Sequence, residues 1–255
     1  MKIFQLDSPL MRFLGKIADI AIVNALTVLL CIPLITAGAA FTAMHYCMLK
    51  LVRDEESGIV KLYFHSFKDN FKQSTIIWVL FLLVMGFFGV DFYLLYANPT
   101  SISYYVFGGI LVFIFLIMFV GSMVYPIQAK FVNTIPKTLK TAFVFAFRHF
   151  PRTLLILVAE AAPFSLFFIG NLGLILFPLE LFFCFAAPAF LAAKLYNKDF
   201  KKAEEAYLRE HPSEDPSAGD EHIFSDEPVL PEKEEEKRQY RQDDYPRRKW
   251  KKNKK

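Results

Sequence analysis

The chain has 255 residues, of which 55% are hydrophobic, and its mean hydropathy is +0.34. A positive mean hydropathy over this length disfavours a soluble globular protein and favours a membrane protein with several passes. The formal net charge is +4, and the charged residues are concentrated at the borders of apolar windows and in the tail from residue 197 onward. The cysteines, Cys31, Cys47 and Cys184, lie in apolar segments, at spacings that fit neither a disulfide framework nor a metal site.

The first window without Lys or Arg covers residues 17–49 and follows a segment that carries three basic side chains. It is generous for one helical pass and short for two, since a pass needs roughly 20 residues. Pro33 and Gly38 interrupt it. A turn there leaves the basic residues of both borders on one side of the membrane, as the positive-inside rule favours. We therefore expect a short hairpin, with a single pass, and five passes in all, as the alternative.

A signal peptide is a second alternative for this window. The small residues 37–39 follow an apolar run, as they do at a signal-peptide cleavage site. Asp19 and Asn24 dilute that run, however, and the chain stays apolar beyond the supposed cleavage site. The pattern favours a membrane segment that is retained.

Residues 59–74 are predicted to form an amphipathic helix. The spacing of Val60, Phe64, Phe67 and Phe71 places one apolar stripe along a helix whose other faces carry lysines. Such a helix lies in the membrane interface with its apolar side toward the lipid. Packing of the stripe against neighbouring protein explains the pattern equally well.

The second window, residues 73–129, contains no Lys or Arg, and Asp91 is its one formal charge. Its length accommodates two passes of roughly 20 residues each. The passes are divided at residues 97–101, which include Asn98 and Pro99 and have the composition of a turn. This window is predicted to be a membrane hairpin.

The pattern then recurs. Leu139, Phe143, Ala146 and Phe150 repeat the spacing of the first stripe and align with it at a constant offset. This is typical of an internal repeat in which a basic amphipathic helix precedes a membrane hairpin, although two copies leave coincidence open. The third window, 153–193, is predicted to turn at residues 170–173.

The predicted fold is all-α: three consecutive transmembrane hairpins, six helices in all, with cytoplasmic amphipathic helices before the second and third. This transmembrane domain covers residues 1–196, and residues 197–255 form a charged tail that begins as a helix and then becomes mostly disordered. The turns at 98–101 and 170–173 carry no charge, whereas basic clusters border the other ends of the windows. The positive-inside rule therefore places the clusters and the C-terminus in the cytoplasm.

The tail ends in a basic run with an embedded tryptophan. Such a run on the inner side of a membrane is typical of a contact with anionic lipid. The residues predicted to make this contact are Arg247, Arg248, Lys249, Trp250, Lys251 and Lys252. Nucleic-acid binding is not expected, because no folded nucleic-acid reader accompanies the run.

Three stretches carry a family resemblance: residues 31–38, 43–56 and 64–78, with a weaker likeness at residues 186–190. They resemble the YesL family of bacterial membrane proteins. The resemblance implies a small multi-pass protein with no established reaction, and members of the family are often encoded beside genes for carbohydrate uptake and degradation. It therefore implies a non-enzymatic accessory or scaffold role in carbohydrate uptake, with a carbohydrate transporter complex as the expected partner. The family defines no site residues, and the resemblance does not cover the tail.

Ionisable residues inside apolar windows are functional candidates, because they are costly to place in a bilayer. Glu160 and Glu180 flank the third turn, and as a pair they could share a proton or bind a cation. Asp91 lies closer to the outer interface. The alternative is that each carboxyl is hydrogen-bonded in a helix contact. The acids favour a small transporter or channel as the second functional hypothesis, and no cofactor, metal or catalytic residue is predicted.

Overall fold

The computed structural model describes residues 9–55, 58–97, 103–131, 133–166 and 182–210, and every regular element in these ranges is helical. The helices are α1 (Pro9–Cys31), α2 (Ala37–Val52), α3 (Ile59–Ala97), α4 (Ser103–Lys130), α5 (Ile135–Arg148), α6 (Phe150–Leu166) and α7 (Ala186–Glu210). By length and composition, α1 to α4 each suit a membrane span, and α5 with α6 suits a fifth. The predicted all-α polytopic membrane fold is confirmed. The turns predicted at 98–101 and 170–173 lie outside the described residues.

The first window forms a hairpin, as expected. A break at residues 32–36 separates α1 from α2, because a proline at position 33 cannot continue the hydrogen-bond ladder of α1. The Lys16 ammonium lies 2.5 Å from the Asp54 carboxylate and donates a hydrogen bond to the carbonyl oxygen of Leu51. The start of α1 therefore meets the end of α2, and the two helices run antiparallel.

Helix α2 lies at the centre of the molecule. Almost every side chain from Ala37 to Leu51 is buried, and α2 contacts α1, α3, α4 and α7. Its first turns consist of small residues, which allow neighbouring backbones to approach closely. The closest approach is at Gly38, where an added Cβ would lie 2.4 Å from the carbonyl oxygen of Ser74 on α3.

The amphipathic segment before the second hairpin is not a separate helix, which corrects the prediction. Residues 59–74 are the first turns of α3, a continuous helix of 39 residues. At 1.5 Å per residue this helix is roughly 58 Å long, so a hydrocarbon core of about 30 Å cannot contain all of it. No proline or turn sequence separates its amphipathic start from its apolar end, and the helix therefore continues.

Three of the four residues in the apolar stripe of this segment lie at the surface of the protein, whereas Phe67 packs against the core. Val60, Phe64 and Phe71 are about two-fifths exposed, whereas the adjacent face of α3, with Ile59 and Tyr63, is buried. These three residues are thus available to the membrane interface, whereas packing on neighbouring protein explains Phe67.

The second copy of the repeat differs in shape from the first. The amphipathic helix α5 forms as predicted, but it is followed by a bend of 104° into α6. Pro151 explains the difference, because it has no N–H to donate and its ring crowds the preceding turn. Lys72 occupies the equivalent position of the first copy, and there α3 continues straight.

The packed part of the chain extends beyond residue 196, where the sequence suggests a domain boundary. Helix α7 continues to Glu210, and Phe200 is almost fully buried against Phe131 and Phe145. Asn197 accepts a hydrogen bond of 2.9 Å from the Arg53 guanidinium. The first turns of the charged tail therefore belong to the folded domain.

Candidate functional site

Helices α2 to α7 line a partly open cavity of about 750 Å³, which falls in the range of sites for small organic molecules. Each helix contributes to its wall, and the segment Cys184–Ala189 contributes at and just before the start of α7. On α2, Phe41 and His45 lie one turn apart and therefore face the same side. The bend between α5 and α6 brings Phe143 of one arm and Glu160 of the other to the same cavity.

Most of the wall is apolar, and eight aromatic side chains form much of it. They are Phe41, Trp78, Phe81, Phe113, Tyr125, Phe143, Phe164 and Phe185. Phe41 lies at the centre of this group, with ring centroids 5.5–5.7 Å from those of Trp78, Tyr125 and Phe185. Such contacts between α2, α3, α4 and the start of α7 hold the wall in one arrangement.

A few polar groups interrupt this apolar wall. The hydroxyl of Ser122 donates within its own helix to Phe119, and the Trp78 indole donates to the carbonyl oxygen of Leu34. The described part of the chain offers no hydrogen-bond partner to His45, Tyr125 or Glu160. His45 is only 7% exposed, so its imidazole is deeply buried yet unpaired there. Buried polar groups in proteins are normally paired, and these three are therefore available to a bound molecule.

Of the predicted site residues, one lies on the wall of the cavity, one lies away from it, and the others fall outside the described residues. Glu160 lies on the wall of the cavity, half-buried. Glu180 falls outside the described residues, so its pairing with Glu160 stays a prediction. Asp91 is half-buried on α3, two turns before the helix ends, and is absent from the wall of the cavity. The basic run at residues 247–252 also lies outside the described residues.

His45 is the site residue that the sequence alone did not single out. A lone histidine in an apolar helix normally packs in a helix contact, and nothing in its spacing distinguishes it. The one available signal is its position on α2 four residues after Phe41, which requires knowing which face of α2 meets the cavity.

A second polar cluster lies where α2, α4 and α7 meet. The Glu204 carboxylate lies 3.2 Å from the Lys130 ammonium and 3.4 Å from the Arg53 guanidinium. The side chains of Arg53 and Lys130 are each 7% exposed, and that of Glu204 is 14% exposed. Desolvating three charges is costly, and their mutual attraction offsets that cost only while all of them remain paired.

The basic borders of the apolar windows meet at this same end of the molecule. Lys16 pairs with Asp54 here, and Arg152 at the start of α6 pairs with Asp199 of α7 at 2.7 Å. Nearby, burial raises the pKa of the Tyr196 phenol, which shares a hydrogen bond of 2.8 Å with Thr153. The described ranges contain no group of three or more His, Cys, Asp or Glu side chains that could hold a metal ion.

Comparison with known proteins gives one family match and no close relative. A search of curated proteins and a search of solved structures found no match. Residues 20–92, from α1 through most of α3, match the family model described as DUF624, protein of unknown function.

Proposed function

We propose that this protein is a non-enzymatic accessory or scaffold protein of the plasma membrane that supports carbohydrate uptake or use without carrying the sugar itself. The link to carbohydrate rests on the YesL resemblance, and YesL-like proteins belong to the family whose model matches residues 20–92. The basic end, with Lys16, Arg53, Lys130 and Arg152, is proposed to face the cytoplasm together with the C-terminus. The basic run at residues 247–252 is proposed to contact anionic lipid there.

The chemistry of the cavity favours an accessory over a sugar carrier. A sugar exposes a hydroxyl on almost every carbon, and each hydroxyl that leaves water needs a hydrogen-bond partner. The wall is mainly aromatic and aliphatic, and its unpaired polar groups are His45, Tyr125 and Glu160 within the described residues. These groups satisfy too few of the hydroxyls of a sugar.

Affinity capture tests the accessory role. The tagged full-length protein is captured from gently solubilised membranes of cells grown on a carbohydrate whose uptake is induced, and the co-purifying proteins are identified. We expect components of a carbohydrate transporter, and their amount should fall in a control capture from cells in which that transporter is not induced. Repeated recovery of no transporter component would contradict the proposal.

A small transporter is the second candidate function, and one observation favours it. Glu160 places a carboxylate on the wall of a cavity between helices that suit membrane spans. In reconstituted vesicles, Glu160→Gln together with Glu180→Gln should abolish pH-dependent flux. Unchanged flux in this double variant would exclude the carboxylate mechanism.

A further inference from the structure

One acidic side chain lies on the wall of the cavity, and the described lining residues include no lysine or arginine. That acidic side chain is Glu160. The residue that could acquire a positive charge is His45, which is buried among apolar neighbours, where a charged imidazole is disfavoured. Burial disfavours the ionised form of Glu160 for the same reason, but a cation beside this side chain would favour that form, so the described wall favours cations over anions.

The aromatic side chains act in the same direction. The faces of Trp, Tyr and Phe rings attract cations, and the attraction is strongest where the contact is desolvated. Eight of the lining residues are aromatic, and they come from five of the helices and from the segment before α7. A carboxylate among several aromatic rings is the arrangement that binds an organic ammonium or phosphonium group, whose charge is spread over apolar substituents.

The size and polarity of the cavity restrict the ligand further. A volume of about 750 Å³ is much larger than a metal ion or a simple ammonium ion requires. Its mainly apolar wall excludes strongly hydrated solutes, because these would lose hydrogen bonds to water. A zwitterionic lipid headgroup would also bring a phosphate into a site whose described wall has no lysine or arginine to pair with it.

We propose that this cavity binds a lipophilic organic cation, a molecule with an apolar body and one delocalised positive charge, and that Glu160 is its counter-ion. The aromatic rings surround the body of the cation, and Tyr125 and His45 accept or donate hydrogen bonds where the ligand carries a polar substituent. This inference is independent of the accessory role and names a substrate class for the transporter hypothesis.

Equilibrium dialysis of the full-length protein in maltoside detergent tests the site, with tritiated tetraphenylphosphonium as the probe. Tetraphenylborate has the same shape and the opposite charge, and it serves as the matched anion. We expect saturable binding of about one phosphonium per chain and at least tenfold weaker binding of the borate. Glu160→Gln should weaken phosphonium binding at least tenfold, whereas Asp91→Asn, on the same protein but outside the cavity, should change it less than twofold.

A second pair of variants tests the location of the site without changing its charge. Gly121 lines the cavity, and a Cβ added there would make an ordinary contact of 3.8 Å with Phe81. Gly121→Ala should therefore bind the phosphonium normally, and Gly121→Phe, which projects a ring into the cavity, should abolish binding. Each variant is first checked for a monodisperse elution profile and a wild-type melting temperature.

Three results would overturn the proposal: no saturable phosphonium binding, equal binding of phosphonium and borate, or undiminished binding by Glu160→Gln. Binding and flux are measured separately. A protein that binds the cation but does not move it across vesicles would exclude transport alone and leave the binding site in place.

Discussion

The indole Nε1 of Trp78 donates a hydrogen bond of 2.7 Å to the carbonyl oxygen of Leu34, and this contact fixes how far the first hairpin reaches along α3. Helix α2 has 16 residues and is roughly 24 Å long, which is less than the hydrocarbon thickness of about 30 Å. Beyond Trp78, α3 continues to Ala97, roughly a further 28 Å. The tip of the first hairpin, residues 32–36, therefore lies well short of the far end of α3.

The exposed side chains at this tip are apolar and suit a lipid environment. Ile32, Leu34 and Ile35 are 59–75% exposed, although they are the residues that turn the chain. The single hydroxyl proton of Thr36 is shared between the backbone carbonyls of Leu30 and Pro33, and the Thr36 N–H also donates to Pro33. The Trp78 indole donates to the carbonyl of Leu34. A non-helical turn is tolerated at membrane depth only when its backbone polar groups are paired in this way.

We therefore expect a cysteine at the tip to be shielded from water on both sides of the membrane. In a background without the three native cysteines, Ile35→Cys in sealed vesicles of either orientation should not react with a membrane-impermeant maleimide. Lys61→Cys, near the start of α3, should react from one side only. After detergent solubilisation Ile35→Cys should react, which shows that its thiol is competent. Labelling of Ile35→Cys in sealed vesicles from the side opposite Lys61→Cys would mean that the hairpin crosses the bilayer.

Glu204 is predicted to stabilise the fold far more than its position in the charged tail indicates. Glu204→Gln leaves Arg53 and Lys130 buried without their carboxylate. Removing one partner of a buried ion pair while the other stays charged costs about 3 kcal/mol or more. The free energy of unfolding should fall by about that amount when it is measured by SDS titration in mixed micelles.

The adjacent acid supplies the matched control. Glu205 is exposed, so Glu205→Gln removes the same charge from the same turn with an expected change below about 0.5 kcal/mol. Replacing Arg53, Lys130 and Glu204 together by methionine should cost less than Glu204→Gln alone, because no buried charge of the cluster is then left without its partner. Equal unfolding curves for Glu204→Gln and Glu205→Gln would show that the cluster contributes nothing to stability.

This cluster illustrates what the sequence could and could not establish. The apolar windows and their basic borders follow from composition, and they predict the helices, the first hairpin and the amphipathic α5. Residues 197–210 have the composition of a solvated charged helix, and nothing local indicates that Glu204 meets residues about 70 and 150 positions earlier in the chain. A contact between such distant residues depends on how the helices pack, and single-sequence periodicity does not report it.

The candidate site was predictable to a similar degree. The cost of burying a carboxyl in an apolar window singles out Glu160, and the structure places it on a cavity wall. The same argument singles out Asp91, which does not line that cavity, because depth along one helix does not determine which side faces the other helices. The bend at residues 149–151 could be anticipated from Pro151, but its consequence, that α5 and α6 both line the cavity, depends on tertiary packing.

Gly38 is predicted to be required for the contact between α2 and α3. A Cβ at this position would lie 2.4 Å from the carbonyl oxygen of Ser74 and 2.7 Å from the Cβ of Trp78, and neither atom can move without its helix. Gly38→Ala should therefore destabilise the protein by about 2 kcal/mol, the typical cost of overpacking a core. The same variant should weaken the hydrogen bond of 2.8 Å between Thr42 and Ser74, which joins the two helices one turn away.

Gly86 is the matched control for this prediction. It lies in α3, and a Cβ built there has no heavy atom of the described residues within 4 Å. Because alanine has the higher helix propensity, Gly86→Ala should leave stability unchanged or raise it by up to about 1 kcal/mol. If melting temperatures of the two variants in detergent were indistinguishable, the close approach at Gly38 would not be a constraint on the fold.

Asn24 is predicted to hold the start of α7, and with it one wall of the cavity. Its side-chain oxygen accepts hydrogen bonds of 2.9 Å from the backbone N–H groups of Phe185 and Ala186. Donors at the start of a helix have no acceptor within the helix, and Asn24 supplies one. Asn24→Leu keeps a similar volume but leaves both donors buried without an acceptor, at a cost of about 1–3 kcal/mol for each. The free energy of unfolding should fall by about 3 kcal/mol, and the segment Cys184–Ala189 should be the first to open locally.

Alkylation of Cys184 reports the loss of these contacts together with that of the bond of 3.8 Å that the Asn24 amide donates to the Cys184 Sγ. In a background that lacks the cysteines at positions 31 and 47, Asn24→Leu should raise the rate at which N-ethylmaleimide modifies Cys184, because the segment is no longer tied to α1. Asn70→Leu is the control, and it should leave the rate unchanged, since among the described residues the Asn70 amide bonds to Ser66 of its own helix. Since Cys184 and Phe185 line the cavity, Asn24→Leu should also weaken tetraphenylphosphonium binding while Glu160 is intact. An unchanged alkylation rate with normal phosphonium binding would mean that the start of α7 is held by its apolar contacts alone.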